Sequence, residues 1–325
     1  MLRRETLGGL AGLAAATAVA QPVEDASRWP SRPLRMVIPF AAGGGADRVG
    51  RMVAEPLGRA LGQPVIVDNR PGGGGTLAAA NVASSPADGY TLFYGTPGQL
   101  TTLPILMTNL PYDAVRDFAP VSLLIRSAYG IGVHPGVAAG DLAELIALAK
   151  RQPGRLAYAT AGVGSGPHLA GELLKSMAGI ELTHVPYRGS APAIQDVVGG
   201  QVPISIDSQD LIGPQIISGA IRGIAVTSAE PSSLLPGLPP VAATVPGYEV
   251  TVFNYLAVRA GTVRPVVDRL SREVRGIVTA PEFIERNRQL GTEAIGSTPE
   301  ELGQLWREEA SKWRDVITRA AIRLE

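Results

Sequence analysis

The residues with chemical potential gather in glycine-rich turns rather than in nucleophile, base or metal constellations. One turn is Pro39-Phe40-Ala41-Ala42-Gly43-Gly44-Gly45-Ala46-Asp47, a second is Thr160-Ala161-Gly162-Val163-Gly164-Ser165-Gly166-Pro167-His168, and a third is Asn69-Arg70-Pro71-Gly72-Gly73-Gly74-Gly75. Glycine permits positive φ and lets a ligand approach the main chain closely. A turn of this kind that opens a helix points unpaired N–H groups and the positive helix end at an anion. Each turn also holds a side chain with two readings. Asp47 either stabilises the N-terminus of the following helix or meets a ligand ammonium or hydroxyl, because it would repel a bare carboxylate. Pro167 suits the first helical position, which makes Gly166 the cap and leaves the Ser165 hydroxyl free to face a cleft. His168 shares a polar helix stripe with Glu172 and Lys175, opposite Leu169, Leu173 and Met177. It is either a solvated residue or one that supports the site from behind, or else a ligand contact. Arg70 either clamps a carboxylate or anchors its own loop.

Several enzyme chemistries fail on spacing. None of the lysines (Lys150, Lys175, Lys312) follows a glycine, so a G-x-x-x-x-G-K-[ST] phosphate loop is absent. Every glycine turn misses G-x-G-x-x-G by at least one position. Ser165 has Val163 two positions before it, which does not fit a nucleophile elbow. His134, His168 and His184 contain no H-x-x-x-H pair and the chain has no cysteine, so zinc and thiol chemistry are not expected. No metal or cofactor is expected.

The elements that must position these turns alternate along the chain. Residues 34–40 read as a strand buried on both faces, and Val49, Met52, Val53, Leu57, Ala60 and Leu61 recur at helical spacing. Pro56 inside that helix predicts a lost bond to the Met52 carbonyl and a kink. Strands follow at 65–67 and 90–94, with a small-residue helix to about residue 84 between them. Further on, helices are expected at 141–151, 167–178 and 191–198, and strands at 156–160, 182–185, 202–206 and 221–226. Thr298-Pro299-Glu300-Glu301 supplies an N-cap, a first-turn proline and a capping-box glutamate for a last helix. Strands alternating with helices predict an α/β fold with a mostly parallel sheet, or two such sheets. The length of 325 residues suits two lobes at roughly 100–200 residues each.

Composition narrows the partners. The formal net charge is zero and no basic run occurs, so nucleic acid is not an expected partner. Arg3 and Arg4 precede an apolar run over residues 7–20 that ends in Ala18-Val19-Ala20, which reads as an export signal cleaved near Ala20. The run is too short to span a bilayer of about 30 Å as a helix. A large exported chain without cysteine fits a bacterial periplasm.

Several motifs together resemble one family. They are the stretch Val37 through Asp47, Asp68-Asn69-Arg70-Pro71-Gly72-Gly73-Gly74-Gly75, Pro86-Ala87-Asp88-Gly89-Tyr90-Thr91-Leu92, Leu110-Pro111-Tyr112-Asp113 and Asp117-Phe118-Ala119-Pro120-Val121. Gly164-Ser165 through Leu173 and His184-Val185-Pro186-Tyr187-Arg188-Gly189 continue the series. The chain resembles, from about Pro33 to its end, the substrate-binding proteins of tripartite tricarboxylate transporters, also called Bug receptors.

The resemblance implies a periplasmic-binding-protein type II-like fold. Two α/β lobes would be joined by two crossover segments, with residues 29–127 and 251–325 in lobe 1 and 128–250 in lobe 2. It implies a monomeric receptor without catalytic residues, which captures a small carboxylate by lobe closure and delivers it to a membrane permease. Di- and tricarboxylates, acidic amino acids and aromatic acids are the ligand classes. The first two turns would hold the carboxylate through Phe40, Ala41, Ala42, Gly44, Asp47, Thr160, Gly164, Ser165 and His168. Thr96, Gln99 and Asp207 would line the rest of the cleft. Two departures from the family pattern, Leu100-Thr101-Thr102-Leu103-Pro104 and Arg188, bear on selectivity. The competing readings are a periplasmic sensor for a membrane signalling partner and an α/β hydrolase.

Overall fold

The computed structural model describes residues 28–40, 42–187 and 189–319, so the expected signal at 1–20, Ala41 and Arg188 lie outside the described residues. The chain opens with β1 (Leu34–Ile38), α1 (Gly45–Leu61), β2 (Val65–Asn69), α2 (Thr76–Ala83), β3 (Thr91–Gly95) and α3 (Leu103–Leu106). A 16-residue strand, β4 (Phe118–Val133), leads to α4 (Leu142–Arg151), β5 (Ala157–Thr160), α5 (Gly166–Ala178), β6 (Thr183–Pro186) and α6 (Ser190–Val198). Next come β7 (Ile204–Ser208), α7 (Gln209–Ile217), β8 (Arg222–Val226) and β9 (Thr251–Arg259). The chain closes with α8 (Arg264–Val278), α9 (Pro281–Gln289), β10 (Glu293–Ala294) and α10 (Pro299–Arg319).

This is a mixed α/β fold whose strands run in the order β2-β1-β3-β9-β4-β7-β5-β6. The expectation of a mostly parallel sheet needs correction. β1 pairs in parallel with β2 and β3, and β5 with β6 and β7, but β9 and β4 run antiparallel between these trios. The physical reason is the crossing of the chain between halves. Along β4, residues up to Ala128 pair with β9, and from Tyr129 onward they pair with β7 and, from Gly130, β8. One strand therefore belongs to both halves of a sheet that changes partners between Ala128 and Tyr129.

Each half buries apolar residues on both sheet faces. In the first half, Met36, Ile38, Val53, Leu57 and Leu92 pack with Leu270 and Val274 of α8, while Phe93, Phe253 and Tyr255 pack with α2 and Leu302. In the second half, Ile131, Tyr158, Leu169 and Ile206 form one cluster and Ala159, Ile194, Val197 and Ile212 another. Such double burial is why β1 reads as a near-continuous apolar run; β4 and β9 are not among the expected strands. α1 is one helix through Pro56. The capping box forms at α10, where Thr298 N donates to Glu301 Oε2 at 2.8 Å and Glu301 N to Thr298 Oγ1 at 3.2 Å. From there α10 straps the halves together, with Leu302 in a cluster of the first and Trp313, Val316 and Ile317 in the core of the second.

Candidate functional site: a cleft between glycine turns

The turns that follow β1, β2, β3 and β5 converge where the two halves meet, around a cleft of about 740 Å³. On the first-half side, Gly72, Gly73, Gly74 and Gly75 hold φ of 131°, 58°, 65° and 96° in succession, a run open to glycine and strained for other residues. Gly73 and Gly74 face the cleft. Gln99 staples this turn to the next loop. Its Nε2 donates to Gly74 O at 2.9 Å, and its Oε1 accepts from Thr96 N at 2.8 Å and Thr96 Oγ1 at 3.0 Å. Tyr112 then fixes the loop from behind by donating to Gln99 O at 2.7 Å.

Asp47 organises the turn before α1. Its carboxylate is buried and accepts from Gly43 N at 2.9 Å, Arg51 Nε at 3.0 Å and Asn69 Nδ2 at 3.0 Å. The Arg51 hydrogen bond, aided by Gly43 N–H and Asn69, holds the carboxyl below the usual aspartate range against the opposing effect of burial. Asn69 also donates to Phe40 O at 3.0 Å, so Asp47 and Asn69 together tie the first turn to β2. Arg70 is an anchor. Its Nε lies 2.8 Å from Asp68 Oδ2.

On the second-half side, the helix cap differs from expectation. Ser165, not Gly166, is the N-cap of α5, and its hydroxyl accepts from His168 N at 3.4 Å while donating to Gly162 O at 2.7 Å. The hydroxyl is therefore engaged within the turn, because serine satisfies a free helix N–H that glycine cannot. The expected polar stripe is also corrected. His168 and Glu172 are buried, whereas Met177 is exposed. The cause is a polar cluster beneath the turn. Glu172 accepts from Tyr158 Oη at 2.7 Å and from Lys175 Nζ at 2.8 Å, and the His168 and His184 rings stack 3.9 Å apart. Thr160 Oγ1 lies 2.7 Å from His184 Nε2. Burial pushes both histidines toward the neutral form, His184 to about 4, with the neighbouring His168 adding to its shift.

Comparison with known proteins now bears on this geometry. The model of the tripartite tricarboxylate transporter family receptor matches residues 49–322. The chain belongs to that family. A UPF0065 protein in the tcbD-tcbE intergenic region of Pseudomonas sp. (strain P51) is 36% identical over 317 residues, covering 97% of this chain and 94% of that one. Among solved structures, R. palustris Rpa4515 with adipate is 35% identical with a TM-score of 0.80, covering 91% of this chain and 99% of that one. MatC (Rpa3494) from Rhodopseudomonas palustris with bound malate is 31% identical with a TM-score of 0.75, covering 89% and 100%. The two-lobed periplasmic-binding-protein architecture is thus shared across the family.

Within this receptor, Phe40, Thr96, Gln99, Gly164 and Ser165 line the cleft together. Asp47, Thr160 and His168 sit behind the turns as their supports. Ala42 and Gly44 are exposed on the first turn, outside the lining; Gly44 caps α1 at φ −75°, a backbone any residue adopts. Asp207 is buried at the end of β7, where Oδ1 accepts from Ser190 Oγ at 2.8 Å and Ser208 N at 2.7 Å. Burial raises its pKa above the aspartate range. Ala41 lies outside the described residues.

Sequence reasoning missed the floor of the cleft. Tyr129, Val250, Val252 and Trp313 line it, joined by Leu103 and Met107. These residues come from strand crossings and helix faces. The one available signal is the helical spacing of Leu302, Leu305, Trp306, Trp313, Val316 and Ile317, which puts Trp313 on the apolar side of the last helix.

Proposed function

We propose that this protein is a periplasmic solute-binding receptor that captures a small carboxylate between its lobes and delivers it to a tripartite tricarboxylate-type membrane permease. The observation that carries the reading is a junctional cleft fed by glycine turns from both halves, with no charged side chain among the described residues that line it. Negative charge would be met by backbone N–H groups and the N-terminus of α5. In the Gly162–Gly166 turn, the N–H groups of Val163 and Gly166 have no partner among the described residues. The adipate and malate carried by the two neighbouring structures support a carboxylate as ligand.

In this proposal residues 29–127 and 251–325 form lobe 1 and residues 128–250 form lobe 2. The change of β4 partners at Ala128/Tyr129 supports that boundary. Phe40, Thr96, Gln99, Gly164 and Ser165 form the ligand-facing set, held in place by Asp47, Thr160 and His168. The receptor works as a monomer and without catalysis. Closure of the lobes buries the ligand and presents a new surface to the permease. No helix among the described residues is long and apolar enough to cross a membrane.

A thermal-shift screen against mono-, di- and tricarboxylates tests the reading. At 100 times Kd, a bound ligand adds about 2.7 kcal/mol of stability. Stabilisation by sugars or cations, with none by any carboxylate, would overturn it.

A further inference from the structure

The cleft is polar along its walls and apolar at its floor. Tyr129, Leu169, Val250 and Trp313 belong to one buried apolar cluster with Val252 packed against it, and all five face the cleft. The polar side chains on the walls are already committed. Gln99 and Thr96 bond to each other, Thr102 Oγ1 donates to Gly98 O at 3.3 Å, and Ser165 Oγ donates to Gly162 O. Trp313 Nε1 donates to Glu309 Oε2 at 2.8 Å, away from any ligand.

The lining hydroxyls with no partner among the described residues are those of Thr251 and Tyr129. Tyr129 has a specific place. A Cβ built on Gly166 would fall 1.7 Å from its hydroxyl oxygen, so the phenol lies directly against the first residue of α5. The Gly166 N–H and the Tyr129 O–H therefore stand side by side at the positive end of that helix.

We infer that the receptor selects monocarboxylates with a bulky apolar body, aromatic acids above all, and that Tyr129 is the side chain that recognises the carboxylate. The inference rests on the carboxylate-receptor reading and narrows its ligand class. One carboxylate is satisfied by the α5 end, while the body lies on Trp313, Val250 and Val252 and gains the apolar burial they provide. A second carboxylate reaching the floor would be buried without a countercharge among the described lining residues, which is costly. Behind the floor, the Glu309 carboxylate accepts from Trp313 and is paired with Lys312. Burial, with Asp207 and Glu309 adding to it, raises the Tyr129 pKa, so the phenol keeps its proton and acts as donor.

Calorimetric titration of the full chain tests this with benzoate, phenylacetate and 4-hydroxybenzoate against succinate, glutamate and citrate. The best aromatic acid is expected to bind at least tenfold more tightly than any polyacid. A polyacid that binds as tightly as the best aromatic acid overturns the inference and leaves carboxylate capture intact. Binding of no carboxylate overturns both. Tyr129→Phe keeps the ring and removes only the donor. It is expected to weaken the best aromatic acid about tenfold at unchanged melting temperature, and unchanged affinity would remove Tyr129 from its assigned role.

Discussion

The Nδ1 atom of His168 accepts the amide proton of Gly164 at 3.0 Å, so the shape of the second glycine turn depends on a neutral imidazole. An Nδ1 that accepts must carry its ring proton on Nε2, the atom 3.9 Å from Glu172 Oε1. Protonation would replace that acceptor with a second donor facing Gly164 N–H. A charge on His168 would also oppose protonation of His184, which is stacked on it and held by Thr160 at the end of β5. The turn and its buried support thus titrate as one unit.

The pH dependence follows with its sign. His184 titrates near 6.5 when unfolded and at about 4 in the fold, and His168 is shifted in the same direction. Between these values the unfolded chain binds more protons, so stability falls as pH falls from 6.5 toward 4. The slope is at most about 1.4 kcal/mol per pH unit for each histidine. Melting temperature measured across pH 4–8 is expected to drop through this window, with carboxylate affinity falling alongside it. His184→Gln should flatten the profile; an unchanged slope would mean that carboxylates elsewhere dominate.

Asp47 holds the first turn through Gly43, Arg51 and Asn69. Two of these partners are side chains that reach solvent, so they rehydrate when the carboxylate is removed, while the Gly43 amide loses its cap. Asp47→Ala is expected to cost about 1–2 kcal/mol, nearer the lower end of buried-charge losses. It should also weaken carboxylate binding, because the Phe40 carbonyl is held through Asn69, which is itself bound to Asp47. Chemical denaturation and calorimetry check both effects. A destabilised protein with full affinity would show that the first turn does not contribute to the site.

The legibility of the sequence varied with the range of the interactions involved. Local signals read well. The Thr298–Glu301 capping box, the amphipathic α1 and the glycine turns each declare themselves within a few residues. The cap at Ser165 was misread because proline suits either of the first helical positions, and only the Gly162 carbonyl decides between them. The burial of His168 and Glu172 is not legible, because a helix stripe of His, Glu and Lys has the pattern of an exposed face. What buries them is Tyr158 and His184 from neighbouring strands. Beyond the apolar side of α10, the floor is not legible, because Tyr129 and Val252 lie far from Trp313 in sequence and carry no motif. Their meeting depends on where β4 changes partners.

Gly75 couples two loops. At φ 96° it is strained for any other residue, and a Cβ there would come 2.4 Å from Gln99 Nε2. Gly75→Ala must therefore displace Gln99 from the Gly74 carbonyl and release Thr96. A loss of about 1–3 kcal/mol in stability is expected, from backbone strain and the broken bonds combined. Carboxylate affinity should fall with it. Gln99→Leu, which breaks the same bonds without touching the turn, should reproduce most of the affinity loss; normal binding by Gln99→Leu would confine the effect to the turn itself.

Gly166 and Tyr129 allow a sharper test, because the two residues exclude each other's larger forms. Gly166→Ala would place a methyl 1.7 Å from the Tyr129 hydroxyl oxygen, and the ring would have to rotate away or the first turn of α5 would have to lift. Either movement parts the phenol O–H from the Gly166 N–H. Overpacking of this size costs about 1–3 kcal/mol. Tyr129→Leu removes the clashing end of the ring, so the double variant is expected to be less destabilised than the sum of the two single changes. Binding should behave oppositely. Gly166→Ala and Tyr129→Leu each lose carboxylate affinity, and their combination does not regain it, since the donor is gone in one case and the space beside it in the other. Denaturation and calorimetry on the full cycle separate the two outcomes. Additive stabilities would show that the residues do not press on each other, and recovered binding in the double variant would place the carboxylate elsewhere in the cleft.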